Sequence, residues 1–227
     1  MWNKNKLISC LSKVKTFSVA QAVKKKRERG VINRHDVDWS LDDAYYLSQL
    51  EMDNGINSTY YIRLNSELYN PKSKKNRILL KKMKKFFEIG LHFDSSIYNK
   101  KNLKKGFVQE MNILTDILED KIYTFSDHMP SKHGYIKPYN KNVISAYNKK
   151  IFVKKNYISD SRYDYKKNFS NYIDLSKNRV IYLLTHPEYY INSKRSYKMI
   201  INRILKKFNH SAIEEMSVSN KNFEKFS

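Results

Sequence analysis

Short apolar segments rich in β-branched and aromatic residues alternate with longer segments of helical periodicity from residue 31 onward. This alternation is typical of an α/β domain with a mainly parallel sheet. The predicted strands are Gly30–Val37, Asn57–Arg63, Gly90–Phe93, Ile122–Ser126, Ile151–Ser159 and Val180–Leu184. The predicted helices are Leu41–Glu51, Ile78–Ile89, Leu103–Leu118 and Ser196–Phe208.

The length of 227 residues suits one domain with a substantial core. We expect residues 1–30 to form an N-terminal extension or peripheral helix, residues 31–215 the main domain and residues 216–227 a C-terminal tail. The single cysteine, Cys10, excludes an internal disulfide and fits a reducing compartment. The apolar stretch around it is too short for a signal peptide, and no run reaches the length of a membrane span. These features predict a cytoplasmic protein.

The charge of the chain is strongly basic, with 44 Lys and Arg residues against 22 acidic ones and a formal net charge of +22. Phosphate neutralisation rewards such an excess in a nucleic-acid binder. However, lysine greatly outnumbers arginine, which is the better partner for bidentate contacts to phosphates and bases. The lysines also spread along the whole chain instead of forming one stripe. We therefore expect no specific nucleic-acid partner, although a basic surface would attract anionic sugars, nucleotide-sugars or lipid phosphates.

Acidic residues and histidines recur at the ends of the predicted strands. They are Asp36, Asp38, His92, His128, Asp160 and His186. In parallel α/β architectures the carboxyl ends of the strands converge on one face, where active sites are built. The sequence therefore predicts one cleft in which these carboxylates and imidazoles meet.

Each of these residues also has a purely structural interpretation. His92 taken alone fits a buried core histidine, and His128 fits a solvated loop histidine. Asp36 and Asp38 lie two apart on a strand, so their side chains point to the same side and repel unless a cation or proton intervenes. One aspartate and two histidines form a ligand set that suits Zn²⁺ or a similar metal. With a second carboxylate as base and a further histidine as acid, the set predicts a metal-assisted hydrolase of amide or ester bonds.

Six segments between residues 31 and 190 have a distinctive order and spacing. They are residues 34–38 with 41–44 (RHDVD, LDDA), 57–61 (NSTYY), 88–94 (EIGLHFD), 124–130 (TFSDHMP), 157–161 (YISDS) and 183–188 (LLTHPE). Together they resemble the polysaccharide deacetylase (NodB homology) family, carbohydrate esterase family 4, in a divergent branch associated with surface-polysaccharide biosynthesis. The resemblance implies an α/β fold, a distorted (β/α) barrel of about seven parallel strands. It also implies an enzyme that removes N- or O-acetyl groups from sugars.

The resemblance assigns roles by position. Asp36 is the expected catalytic base and His186 the expected catalytic acid. Asp38 and His92 are expected to bind the metal, which the family pattern would complete with a second histidine four residues after the first. That position is Ser96 in this chain.

The third metal ligand is therefore expected elsewhere. Asp94 or His128 could supply it, and we favour His128 because it also follows a strand end. The family's arginine-containing element is replaced here by His128-Met129-Pro130, which leaves the group that orients the base unassigned.

The leading hypothesis is a cytoplasmic metal-dependent deacetylase that acts on an acetylated sugar, nucleotide-linked or lipid-linked, in surface glycan assembly. Zn²⁺ is the favoured metal, with Co, Ni or Mn as other options. Asp94, Asp160 and Arg162 are predicted to contact the substrate. The alternative is a catalytically inactive carbohydrate-binding pseudoenzyme, motivated by Ser96. A nucleic-acid binder is the third hypothesis and would show steeply salt-dependent binding.

Overall fold

The computed structural model describes residues 3–25, 27–161, 169–191 and 196–219. Its strands are β1 (Thr16–Phe17), β2 (Gly30–Val37), β3 (Thr59–Ile62), β4 (Glu88–Phe93), β5 (Thr124–Asp127), β6 (Ile144–Ser145), β7 (Tyr157–Ser159) and β8 (Val180–Thr185). Its α-helices are α1 (Lys4–Leu11), α2 (Val19–Lys24), α3 (Leu41–Asp53), α4 (Lys74–Lys84), α5 (Leu103–Leu118), α6 (Pro130–His133), α7 (Phe169–Leu175) and α8 (Tyr197–Ser219).

All eight described strands belong to one sheet in which every pairing is parallel. Seven of them follow the order β6-β5-β4-β3-β2-β8-β7, and β1 pairs with the beginning of β2. The hydroxyl of Tyr182 on β8 donates to the backbone carbonyl of Ala146, just after β6, at 2.7 Å. In a flat sheet these two strands would lie about 24 Å apart. The sheet therefore curls into a half-barrel of seven parallel strands, which confirms the predicted fold class.

Strand β2 lies inside the sheet between β3 and β8, and its side chains alternate between the two faces. Arg34 and Asp36 point into the curl of the sheet. On the opposite face, Asn33 and His35 contact the carboxylate of Glu51 on α3 at 2.7 and 2.8 Å. His35 therefore faces away from Asp36. The buried contact to Glu51 fixes the outer face of β2 against the helix that follows it.

Helix α3 begins where the sequence predicts, directly after the strand that carries the candidate site. Ser40 is the N-cap, and its hydroxyl accepts a hydrogen bond from the backbone N–H of Asp43. Asp42 and Asp43 occupy the first turn, where the helix dipole favours carboxylates. This cap turns the chain away from the sheet and leaves Asp38 at the open end of the strand.

Helix α5 has its predicted bounds, whereas α4 ends at Lys84, before the predicted end at Ile89. The chain from Glu88 instead forms β4. Glu88 pairs with Thr59 of β3, and its carboxylate accepts hydrogen bonds from the Thr59 and Ser18 hydroxyls. These partners are distant in sequence, so the helical periodicity of the segment gave no sign of them.

The N-terminal residues contribute to the sheet and its packing. Leu7 and Leu11 of α1 are fully buried, β1 pairs with β2, and Ser18 caps α2 together with the side chain of Gln21. At the other end, α8 continues to Ser219, past the predicted end of the last helix. The division of the chain at residues 31 and 216 stays a prediction.

The helices in the described part of the chain include none that is long and apolar enough to cross a membrane.

Candidate active site

The carboxyl ends of β2, β4, β5 and β8 open into one cleft of about 580 Å³. Its lining contains five of the residues singled out from the sequence, namely Asp36, Asp38, His92, His128 and His186. The parallel arrangement produces this convergence, because every strand delivers its last side chains to the same edge of the sheet.

Three ligand atoms from separate strand ends form a tight triangle. Asp38 Oδ1 lies 3.2 Å from His92 Nε2 and 3.4 Å from His128 Nδ1. The two imidazole nitrogens are 3.1 Å apart. His128 is held in place by its own backbone N–H, which donates to the carbonyl of Phe93 at the end of β4.

The triangle fits a bound metal ion. A tetrahedral ion with ligand bonds of about 2.0–2.1 Å separates its ligand atoms by about 3.3 Å. Asp38 Oδ1 is buried and accepts no well-formed hydrogen bond in the described part of the chain, which costs free energy unless a cation compensates it. Burial would raise the pKa of Asp38, but His128 and His92 hold that pKa well below its usual value. The carboxylate is therefore ionised and available as a ligand.

Asp36 lies beside the triangle and is held by a buried arginine. Arg34 Nε and Nη2 donate to its two carboxylate oxygens at 2.8 and 2.6 Å. Arg34 Nη2 also contacts the hydroxyls of Ser126 and Tyr147. Burial would raise the pKa of Asp36, but the charge of Arg34 outweighs it and lowers that pKa. Asp36 is therefore a carboxylate, with Oδ2 3.8 Å from His92 Nε2.

Arg34 was not predicted as a site residue, although its position in the sequence indicates such a role. An arginine two residues before Asp36 on the same strand must point to the same side as that carboxylate. Its side chain is fully buried, which a charged residue tolerates only with a partner. The group that orients the candidate base is thus Arg34, from the strand of the base itself.

His186 follows β8 and is fixed by Asp160, which follows β7. Asp160 Oδ1 lies 2.6 Å from His186 Nδ1, and Oδ2 accepts the backbone N–H of His186 at 2.8 Å. Burial would lower the pKa of His186, but the Asp160 carboxylate raises it to about 10. The imidazole is therefore protonated, and its Nε2 lies 3.7 Å from Asp38 Oδ2.

Asp94 and Ser96 stand next to the cleft, not in its lining. Asp94 accepts a hydrogen bond from Arg63 at 2.6 Å and from both the N–H and the hydroxyl of Ser96. Asp94 therefore orients Arg63, and Arg63 is the residue of this pair that lines the cleft. The sugar contacts predicted for Asp94 and Asp160 stay predictions, and Arg162 lies outside the described residues.

Aromatic side chains form much of the cleft wall, and sequence analysis did not assign them to the site. They are Trp39, Tyr135, Tyr147, Tyr157 and Tyr189. Asp127, at the end of β5, was also missed. Its Oδ2 is buried without a hydrogen-bond partner among the described residues, and burial raises its pKa to about 6. Trp39 and Asp127 are direct neighbours of the candidate ligands Asp38 and His128, whereas the four tyrosines come from loops and strand ends without a local pattern that marks them.

Comparison with known proteins gives little beyond the fold. No family model matches the chain, and no curated protein matches it. A solved structure, the chitin deacetylase from the fungal pathogen Colletotrichum lindemuthianum, aligns with a TM-score of 0.42 and 13% identity. The alignment covers 80% of this chain and 83% of that one. At this score and identity the likeness gives no evidence of function.

Proposed function

We propose that this protein is a metal-dependent hydrolase that removes an acetyl group from a sugar. The observation that carries the proposal is the meeting of three groups in one cleft: the ligand triangle, the Arg34–Asp36 pair and the His186–Asp160 pair. A ligand set, an ionised carboxylate and a protonated imidazole are the parts that hydrolysis of an amide or ester requires.

Asp38, His92 and His128 would hold the metal, for which Zn²⁺ is the first choice because two imidazoles and one carboxylate suit it. A bound divalent ion would polarise the acetyl carbonyl and make water acidic enough to attack it at neutral pH. The family pattern places a second histidine where this chain has Ser96, and His128 from the end of β5 supplies the missing imidazole.

Asp36 would accept the proton that the attacking water gives up. Arg34 holds both of its oxygens, so the carboxylate stays ionised and keeps one orientation. On the other side of the cleft, His186 would give its proton to the departing amine or alcohol. Asp160 positions this imidazole and favours its protonated form.

The cleft walls support a sugar as the substrate. Aromatic side chains offer flat apolar faces with polar edges, and such surfaces suit a ring that has both C–H and hydroxyl groups. The volume of about 580 Å³ lies in the usual range for small-molecule sites. The net charge of +22 favours a substrate with a phosphate, as in a nucleotide-linked or lipid-linked sugar. A role in surface glycan synthesis and a cytoplasmic location belong to the same proposal.

The site geometry favours an enzyme over the binding-only alternative. A sugar-binding module gains nothing from a protonated histidine aimed at a ligand triangle, and the buried Arg34–Asp36 pair costs desolvation free energy. Ser96 stands where the family pattern has a metal-binding histidine, but His128 completes the ligand triangle from the end of another strand.

The test is acetate release from a panel of N-acetylated and O-acetylated sugars by protein loaded with Zn²⁺, Co²⁺, Ni²⁺ or Mn²⁺. We expect release from at least one sugar, and a loss of about 10²–10⁴-fold in His186→Ala. Glycan binding without acetate release by metal-loaded protein would favour the pseudoenzyme and overturn the proposal.

A further inference from the structure

Helix α8 exposes an unusual amount of apolar surface. Of the eighteen large hydrophobic side chains that are exposed in the described part of the chain, seven lie on this one helix. They are Tyr197, Met199, Leu205, Phe208, Ile213, Met216 and Val218. A folded domain scatters such side chains singly, so their concentration on one helix marks an interaction surface.

Five apolar residues of α8 form one continuous stripe, which we call the α8 stripe. They are Ile201, Leu205, Phe208, Ala212 and Met216. Their spacing of three and four residues places them on the same side of the helix, over about 22 Å of its length. Leu205, Phe208 and Met216 are 45%, 41% and 58% exposed, whereas Ile200 and Ile204 on a neighbouring face are buried in the core. The core therefore anchors the helix through Ile200 and Ile204. Within the stripe, Phe208 and Ala212 lie at the edge of a groove beside Trp39, whereas Leu205 and Met216 are exposed to solvent.

Lysines flank the stripe and are available to an external partner. Lys198 and Lys206 are exposed and form no ion pair among the described residues. Arg203 and Lys207, in contrast, both bind the buried carboxylate of Asp43 on α3 and secure α8 to the domain. The helix thus separates its basic residues into an anchoring pair and a free pair.

Two partners could cover this surface, a second copy of the chain or a lipid bilayer, and the charge of the whole chain favours the bilayer. A second copy would bring another net charge of +22 against the first, and such charges repel. An anionic lipid bilayer attracts the same charge, because each basic residue near its surface is drawn to the lipid phosphates. Glu214 and Glu215 oppose this attraction locally. The approach of the protein to a bilayer therefore depends on the charge of the whole chain, and the insertion of α8 depends on its apolar stripe.

We propose that α8 docks the protein onto an anionic membrane surface. The α8 stripe enters the boundary between headgroups and acyl chains, while the lysines beside it bind lipid phosphates. Tyr197, at the start of α8, contacts Trp39 at 5.9 Å between ring centroids, and Trp39 lines the cleft. Aromatic rings of this kind prefer the membrane interface. If the proposed function holds, docking brings the cleft to sugars carried on lipid.

The test is flotation of the full chain with vesicles of phosphatidylcholine alone and of phosphatidylcholine mixed with phosphatidylglycerol. We expect binding to the anionic vesicles that weakens with salt. Phe208→Asp and Met216→Asp should each lose roughly tenfold or more in affinity, because a buried apolar side chain is replaced by a repelled charge. The matched control is Phe86→Asp, which changes a phenylalanine that is 61% exposed beyond α4 and should leave binding within about twofold.

Thermal unfolding and metal content of each variant separate docking from folding and from the proposed chemistry. If Phe208→Asp unfolds, Met216→Asp still tests the docking, because Met216 is more exposed and lies near the end of the helix, where a substitution disturbs folding less. No binding to anionic vesicles, or equal binding by the stripe variants and wild type, would overturn the proposal. So would a dimer in sedimentation velocity that the stripe variants dissociate, since the stripe would then face a second copy.

Discussion

Arg34 and Asp36 lie two residues apart on β2, and two hydrogen bonds of 2.8 and 2.6 Å join their buried side chains. The guanidinium and the carboxylate come from the same strand, so the alternation of that strand sets the geometry of the pair. The orientation of the proposed base therefore depends on an interior strand of the sheet, paired on both sides, and not on a loop. This pair connects the stability of the fold to the chemistry of the site.

Breaking the pair should destabilise the protein strongly. Arg34→Gln leaves the charge of Asp36 buried without a partner, and we expect a loss of about 3–5 kcal/mol in the free energy of unfolding, measured by urea denaturation. The double variant Arg34→Gln with Asp36→Asn should recover much of the loss, because neither position then carries a charge. A double variant as unstable as the single one would show that charge pairing is not what holds these residues.

Neutralising the two aspartates of β2 should separate catalysis from metal binding. Asp36→Asn keeps the ligand triangle but removes the proposed base, so we expect folded protein of this variant to keep its full metal content and to lose about 10²–10⁴-fold in kcat. Asp38→Asn removes a ligand and should lose the metal. Elemental analysis and acetate release on the same samples measure both. Full activity in Asp36→Asn would remove its assigned role.

Asp160 is expected to act through His186. Asp160→Asn removes the charge that keeps the imidazole protonated and weakens the bond that orients it, so kcat should fall by at least about tenfold with little change in KM. Asp174→Asn is the matched control, because Asp174 is an exposed carboxylate that pairs with Lys177. A rise in KM with unchanged kcat would instead make Asp160 a substrate-binding residue, as the sequence suggested.

Glu110 should make stability depend on pH. It is buried on α5, where Tyr98 and Asn65 donate to Oε1, and Oε2 has no hydrogen-bond partner among the described residues. Burial raises its pKa from 4.5 to about 7. Between these values the folded protein binds more protons than the unfolded chain, so this group makes stability fall as pH rises through that window.

Glu110→Gln removes the titration but keeps an oxygen for Tyr98 and Asn65. At pH 8 the variant should be more stable than wild type by up to about 3 kcal/mol, and the difference should shrink toward pH 4. Urea unfolding across this pH range gives the comparison. A difference that does not change with pH would mean that the carboxyl titrates normally in the folded protein.

The sequence predicted those parts of the fold that depend on local patterns. Helix α5 has a full apolar stripe along its predicted bounds, and α3 has both a cap and a terminating Asn-Gly pair. The two-residue strands β1 and β6 were not predicted, because pairing with distant strands and not their own residues makes them strands. Helix α4 ends early for the same reason, because Glu88 pairs with Thr59 of β3 and accepts a hydrogen bond from Ser18, which lies just before α2.

In the candidate site, too, local sequence patterns predicted some residues and not others. The candidate ligands and the proposed acid could be singled out because each one follows a strand, and parallel strands end on one edge, where these residues line one cleft. Asp127 was missed because its role depends on its burial, which spacing alone does not reveal. Arg34 was missed although its spacing from Asp36 places both side chains on the same face of β2. Asp160 was expected in the cleft as a substrate-binding residue. In the structure its carboxylate contacts the ring and the backbone N–H of His186.

The central claim is that Asp38, His92 and His128 bind one metal ion, and elemental analysis of protein purified without a His-tag tests it most directly. We predict close to one equivalent of zinc, or of cobalt, nickel or manganese after reconstitution, in wild type. The metal should be lost in folded His92→Ala and His128→Ala and retained in His133→Ala, which changes an exposed histidine of α6. Wild type that binds no metal even with excess ion, or His92→Ala and His128→Ala variants that bind as much as wild type, would contradict the account.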